Sequence, residues 1–346
     1  MNQESSSNIE LLRIVAGLFV IILHFNFNPA GGGAVEHVIG INYYFLIMLE
    51  LICACAVNVF ILISGYFGCE SNKLALGKLI GLLIQTIVFS FLIELLVNII
   101  HRSINVNQLI ISLLPVNYYV MLYVALMCMA PFINIIINKI SIESLKHFVI
   151  ILMCLNSIWP TIVDVMQEIS GREFMGLSTI SLFGSGNGYT IVNFILIYVV
   201  GAYIRKTEFM QDCSKKKLLI LLAMQVIVLG IWKKVLPNTA WQYSNPIVIL
   251  EAIFVFLLFK KISIYSKFIN KIAPASFSCY LIHEKLLSYI DYSMLGSASL
   301  LKLVIFITLV LVVIYTVSIG CMLIWNKIIN IFIPRWKDKI PVINVR

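Results

Sequence analysis

The 346 residues are 61% hydrophobic and 12% charged, with a mean hydropathy of +0.99, well above the apolar share of about 45–50% in soluble domains. No water-soluble fold could hide that much apolar surface, and because hydrocarbon cannot satisfy backbone N–H and C=O groups, runs this long and apolar must cross a bilayer as helices. The net charge of +9 would suggest nucleic acid in a soluble chain, but the placement of the cations explains it through membrane topology, so no nucleic-acid partner is expected.

The apolar runs predict an all-α, polytopic integral membrane protein with about ten transmembrane helices, over 9–28, 41–67, 75–99, 118–138, 147–166, 190–206, 217–236, 246–260, 274–291 and 302–333. With a cytoplasmic amino terminus, the even-numbered connections and the tail hold eighteen of the 25 Lys and Arg residues, the odd-numbered connections hold six, and Arg13 lies inside the first helix. This bias predicts that both termini face the cytoplasm. Connections are short and no stretch could fold alone in water, so residues 1–346 are expected to form a single membrane domain.

The first run, SNIELLRIVAGLFVIILHFNF, lacks the basic flank and cleavage site of a signal peptide and is expected to stay as helix one. Ser7, three residues before Glu10, has the spacing of a capping box and predicts the helix start. Arg13 and His24 are eleven residues apart, three turns plus about 20°, which puts them on one face about 16 Å apart along the axis. An ionisable group deep in a helix should face protein or a wet cavity, so both are functional candidates. Each has a bland alternative: Arg13 could snorkel to lipid headgroups, and His24 could be a neutral imidazole bonded to a neighbouring helix.

Later helices carry Asn58, Ser64, Gln85, Glu94, Asn134, Glu251 and His283, any of which could be interhelical hydrogen-bonding glue. His283 stands out by its depth, and two membrane histidines suggest acid-base work. The GSGNG string at 184–188, within the long connection at about 167–189, has glycines but neither the Lys nor the strand of a phosphate loop, and reads as a flexible turn; Gly31 to Gly33 read likewise. The eight cysteines form no CxxC pair and read as small hydrophobes, so neither a disulfide nor a metal is expected.

Several strings together resemble the acyltransferase 3 family of multipass O-acyltransferases that modify bacterial surface polysaccharides. They are IELLR at 9–13 with His24 eleven residues after its Arg, VNVFILISGYF at 57–67, LYVALMCMAPFIN at 122–134, FILIYVVGAYIRK at 194–206 and SCYLIH at 278–283. They follow the family's order across nearly the whole chain. Three departures stand beside them: Lys73 and Lys78 replace an Arg-x-x-Arg pair, Tyr118-Tyr119 replaces Trp-Tyr, and there is no appended extracellular esterase-like domain.

The resemblance implies a protein of the bacterial cytoplasmic membrane that transfers an acetyl group from acetyl-CoA to a hydroxyl of a carbohydrate or glycolipid acceptor. A hydroxyl needs a base near neutrality, and His24 is the candidate. Arg13, Lys73 and Lys78, on the cytoplasmic side, are candidate contacts for the phosphates of coenzyme A, with Ser64 beside the donor. Tyr119, Asn134 and His283 are candidates for lining the acceptor site. Direct transfer and a covalent acetyl-histidine relay both fit. The rival readings are a transporter or flippase for a glycolipid or acyl compound, since deep ionisable residues also mark substrate pathways, and a sensor or assembly subunit without catalysis.

Overall fold

A computed structural model of the chain describes residues 7–27, 33–102, 104–332 and 340–345. Of the features read above, Gly31, Gly32 and the tail cations Arg335, Lys337, Lys339 and Arg346 lie outside the described residues. The helices in chain order are α1 (Ser7–Asn26), α2 (Ala34–His37), α3 (Ile41–Cys53), α4 (Ala56–Gly68), α5 (Leu76–His101) and α6 (Val106–Ile111). They continue with α7 (Tyr118–Lys139), α8 (Ile142–Met153), α9 (Trp159–Ser170), α10 (Ile191–Thr207) and α11 (Lys215–Val235). The last are α12 (Pro246–Lys260), α13 (Lys267–Ile272), α14 (Ala275–Leu287) and α15 (Leu300–Phe332). Two three-residue strands, β1 (Lys73–Ala75) and β2 (Val342–Asn344), pair antiparallel with Lys73 opposite Asn344.

Each of the ten expected segments holds a helix, and among the described residues seven spans are long and apolar enough to cross a membrane, counting Ile41–Gly68 and Ile142–Ser170 as one span each. The other three, α10, α12 and α14, have 17, 15 and 13 residues, about 25, 22 and 20 Å at 1.5 Å per residue. That is short of a hydrocarbon core about 30 Å thick. Their side chains are largely buried, so the longer helices enclose them and they need not match the lipid thickness.

Two expected helices are interrupted. The second is split at Ala54 and Cys55 into α3 and α4. The fifth holds a π-helical turn at Cys154–Ile158 between α8 and α9. Pro160 explains the turn, since it lacks an N–H and its ring displaces the carbonyl four residues back, that of Asn156. Ser157 in this turn donates to the carbonyl of Ser244 at 2.6 Å, tying the bulge to the loop before α12.

Small residues set two close helix crossings. A Cβ on Gly65 of α4 would lie 2.1 Å from the carbonyl oxygen of Tyr198 on α10, and one on Gly201 of α10 would lie 2.4 Å from the carbonyl of Leu62. A Cβ on Gly17 of α1 would lie 3.5 Å from that of Ser276 on α14, and Ser276 donates to the carbonyl of Arg13 at 3.1 Å. Backbones meet where side chains would keep them apart.

The capping-box expectation is corrected. Ser7 is already helical and its hydroxyl accepts from the Ser266 amide at 3.0 Å, while Glu10 pairs with Arg13 at 2.5 Å. The orphan N–H groups that begin α13 draw on Ser7, so α1 and α13 are stapled together. GSGNG is a turn, as expected, but it is anchored: the Ser185 amide donates to Asp164 at 3.0 Å and the Tyr243 amide to the carbonyl of Asn187 at 3.0 Å. Gly188, at φ +81°, lies so close to Ser244 that a Cβ would approach its nitrogen to 2.5 Å.

Candidate active site

Parallel packing of α1 and α14 builds the centre of the site. From the Gly17–Ser276 contact, seven residues along each helix is two turns, reaching His24 on one and His283 on the other. The rings meet with His283 Nε2 3.0 Å from His24 Nδ1, and Glu284 Oε1 lies 3.2 Å from His24 Nε2.

The hydrogen bonds fix where the ring protons lie. His283 Nδ1 lies 2.8 Å from the carbonyl of Tyr280 and 3.1 Å from that of Cys279. Carbonyls only accept, so Nδ1 of His283 carries the proton and its Nε2 is the acceptor. His24 Nδ1 faces two acceptors, that nitrogen and the Val20 carbonyl, each at 3.0 Å, so it donates. His24 Nε2 is left opposite a carboxylate. That nitrogen is the ring position free to take a proton, and the pair becomes an ion pair only when it is protonated. His283 is 1% exposed, whereas the side chains of His24 and Glu284 are 22% and 50% exposed, so the cluster is reached through His24 and Glu284.

Three cavities contain the sequence candidates other than His283. One of about 260 Å³ is lined by Arg13, Ser64, Tyr119, Tyr123, Ser276 and Tyr280. It adjoins, through Leu82 and Tyr123, a second of about 620 Å³ that contains Lys73, Lys78, Asn134, Tyr198 and Val342. At the other end of α1, His24 lines a cleft of about 400 Å³ with Glu50, Tyr189, Lys233, Trp241 and Tyr243. Tyr280, whose ring lies 5.7 Å from His283 and 4.8 Å from Tyr119, stands between the first cavity and the histidines. In the cleft, Glu50 pairs with Lys233 at 3.4 Å, and burial raises the phenols of Tyr189 and Tyr243 above the ordinary tyrosine range, keeping them as O–H donors.

The sequence candidates are thus distributed in three groups. His24 and His283 touch; Arg13, Ser64 and Tyr119 share one cavity; Lys73, Lys78 and Asn134 share the next. Ser64 donates to the Phe60 carbonyl at 3.0 Å and lies 3.3 Å from the Tyr123 hydroxyl. Asn134 is fully engaged, donating to the carbonyls of Gly68 and Ser71 at 2.8 and 2.7 Å and accepting from Tyr198 at 3.0 Å. A family model described as an acyltransferase domain matches residues 6–325. The chain belongs to this acyltransferase family. No curated protein and no solved structure gives a match.

The nitrogen and carboxylate atoms of His24, His283 and Glu284 form a set able to hold and pass a proton. Ligand atoms of His24, His283 and Glu284 all lie within 4.8 Å of one another, a spacing a metal could use. Both ring nitrogens of each histidine already face hydrogen-bonding partners, however, and the set fits proton handling as it stands. Sequence reasoning missed Glu284, Tyr280 and the Glu50–Lys233 pair. Glu284 follows His283 directly, and its adjacency was the available signal. The polar residues weighed as glue include several that serve as such: Asn58 donates to the Tyr243 carbonyl at 2.9 Å, Gln85 to Ser278 at 3.4 Å, and Glu94 holds Lys285 at 3.2 Å.

Proposed function

We propose that this multi-pass acyltransferase moves an acetyl group from acetyl-CoA to a hydroxyl of a surface polysaccharide or lipid-linked glycan, with His24 as general base. The observation that carries this reading is that His24 lines a cleft at one end of α1 while Arg13, on the same helix, lines the first of two adjoining cavities. Donor and acceptor can then approach the same imidazole from opposite sides.

The donor's phosphates belong with Lys73 and Lys78 at the large cavity and Arg13 beside it, where cations hold phosphate oxygens. Its pantetheine arm runs past Ser64 and Tyr119 toward Tyr280. Asn134 holds the wall of the donor cavity through the backbone it binds. The acceptor enters the cleft of Tyr189 and Trp241. Its oxygen bonds to the thioester carbonyl carbon as its proton passes to His24 Nε2; the C–S bond breaks and that proton goes to the departing sulfur, giving ester and free thiol. In this reading both termini and the Lys73 side face the cytoplasm of a bacterium, and the cleft faces outward.

The test supplies purified protein in nanodiscs with labelled acetyl-CoA and candidate glycans. Wild type transfers label, and His24→Ala, folded by size exclusion, loses about 10²–10⁴-fold in rate. Transfer at the wild-type rate in the variant would remove His24 as the base. Donor binding absent altogether, with glycolipid movement across the vesicle membrane, would replace the reading with transport.

A further inference from the structure

The cluster contains two groups with no role in that scheme, and their geometry gives them one. We infer that His283 and Glu284 are positioning residues for His24. His283 fixes the Nδ1–H tautomer that bares Nε2, and Glu284 offsets the charge His24 gains on taking the acceptor's proton. This rests on the reading of His24 as base.

The assignment follows from what each atom can do. Two backbone carbonyls commit the Nδ1 proton of His283, so its Nε2 can only accept, and it accepts from His24 Nδ1. A tautomer of His24 with the proton on Nε2 would face two acceptors with a bare Nδ1, and is therefore disfavoured. The reactive nitrogen is thereby turned away from α14's core and toward the cleft side, where Glu284 meets it. When the hydroxyl proton arrives, a carboxylate within about 4–6 Å favours the imidazolium. Being half exposed and in the last turn of α14, Glu284 can yield its place opposite Nε2 to a hydroxyl while remaining in that range.

No other charge competes for this role among the described residues that line the cleft. Glu50 on α3 is held by Lys233 on α11, and Lys285 turns away from the cluster to Glu94 on α5. The remaining titratable neighbours, Tyr189, Tyr243 and Tyr280, are phenols that donate.

The experiment compares wild type, Glu284→Gln, Glu284→Asp and His283→Gln in the acetyl-transfer assay across pH, together with ¹⁵N NMR of histidine-labelled protein. Without the carboxylate the imidazolium is less favoured, so in Glu284→Gln the acid limb of the kcat profile moves down by about one pH unit and kcat falls roughly 10-fold. Both KM values stay within about 2-fold, and Glu284→Asp is intermediate, by the same charge argument. The NMR spectrum shows His24 protonated at Nδ1 in wild type and a mixture of tautomers in His283→Gln. An unmoved acid limb, a loss confined to KM, or an unchanged tautomer in His283→Gln would overturn the assignment. So would loss of transfer to a chelator with recovery on adding zinc, which would make the three groups metal ligands. If wild type transfers no acetyl group at all, the function proposed above fails, yet the NMR measurement still decides the arrangement of the histidines.

Discussion

Substituting Gly65 by Ala tests whether the crossing of α4 and α10 sets the cavity that Ser64 lines. The new methyl would lie 2.1 Å from the carbonyl oxygen of Tyr198 and 2.9 Å from its Cα, both backbone atoms, so no side chain can swing away. To reach the 3.4 Å of an ordinary contact the helices must part by more than an ångström, and Gly201 meets α4 as closely from the other side, at 2.4 Å. Overpacking of this kind costs about 1–3 kcal/mol, and rigid partners put this case at the upper end. At roughly 2.1 cal/mol/K per residue, a loss of about 3 kcal/mol lowers the melting temperature by about 4 °C for a chain of this length. Cys53, Cys55 and Cys69 are free and buried, so a thiol-reactive dye reports unfolding directly in detergent. Gly320→Ala is the control, since a Cβ there meets nothing within 4 Å and removal of a helical glycine should leave or slightly raise stability. Because Ser64 precedes Gly65 and lines the cavity, the donor KM should rise as well. A melting temperature for Gly65→Ala within 1 °C of wild type, on the order of the scatter expected of a neutral surface change, would refute the close-crossing argument.

Replacing Lys73 and Lys78 together by Gln should raise the donor KM by about 10-fold with kcat little changed, and the effect should shrink at high salt as screening weakens the wild type's advantage; equal KM values at low salt would exclude them as phosphate contacts. Asn134→Ala removes the side-chain donor to the carbonyls of Gly68 and Ser71 and the acceptor of the Tyr198 hydroxyl, and should destabilise the protein by about 1–3 kcal/mol. Its effect on turnover should be small once the protein is folded, which thermal melts and steady-state kinetics separate. At Gly17 the expected effect depends on size: Ala fits, since its methyl would meet Ser276 at an ordinary 3.5 Å. Leu does not fit, and should separate α1 from α14, break the 3.0 Å histidine contact and reduce transfer at least 10-fold with the donor KM kept.

Hydropathy located a helix in all ten expected places because apolar length is a local property. It could not foresee that α10, α12 and α14 would be short inner helices, since burial against other helices and burial in lipid leave the same apolar signature. Arg13 and His24 were legible as one face of one helix, which follows from 100° per residue. The pairing of His24 with His283 was not, because it depends on α1 and α14 lying side by side in a register set by Gly17 and Ser276, and nothing local links residues 259 positions apart. Glu284 stayed invisible for a related reason: its meaning comes from the nitrogen it faces, on another helix. Asn134 shows the opposite limit, for a buried amide in an apolar run reads equally as a ligand contact or as the brace for Gly68 and Ser71 that it forms.

The placement of the tyrosines connects the fold to the chemistry. For His24 to act as the base proposed above, water must be kept from the thioester, since water would compete with the acceptor. Tyr119 and Tyr280 line the first cavity with their rings 4.8 Å apart, and Tyr280 lies 5.7 Å from His283, so aromatic rings stand between that cavity and the histidines. On the cleft side, Tyr189 and Tyr243 pack at 5.3 Å and are held by the GSGNG turn, whose Asn187 carbonyl binds the Tyr243 amide. The turn far from the histidines in sequence therefore shapes the mouth beside His24. Its left-handed Gly188, pressed against Ser244, is what lets that loop lie close enough to do so.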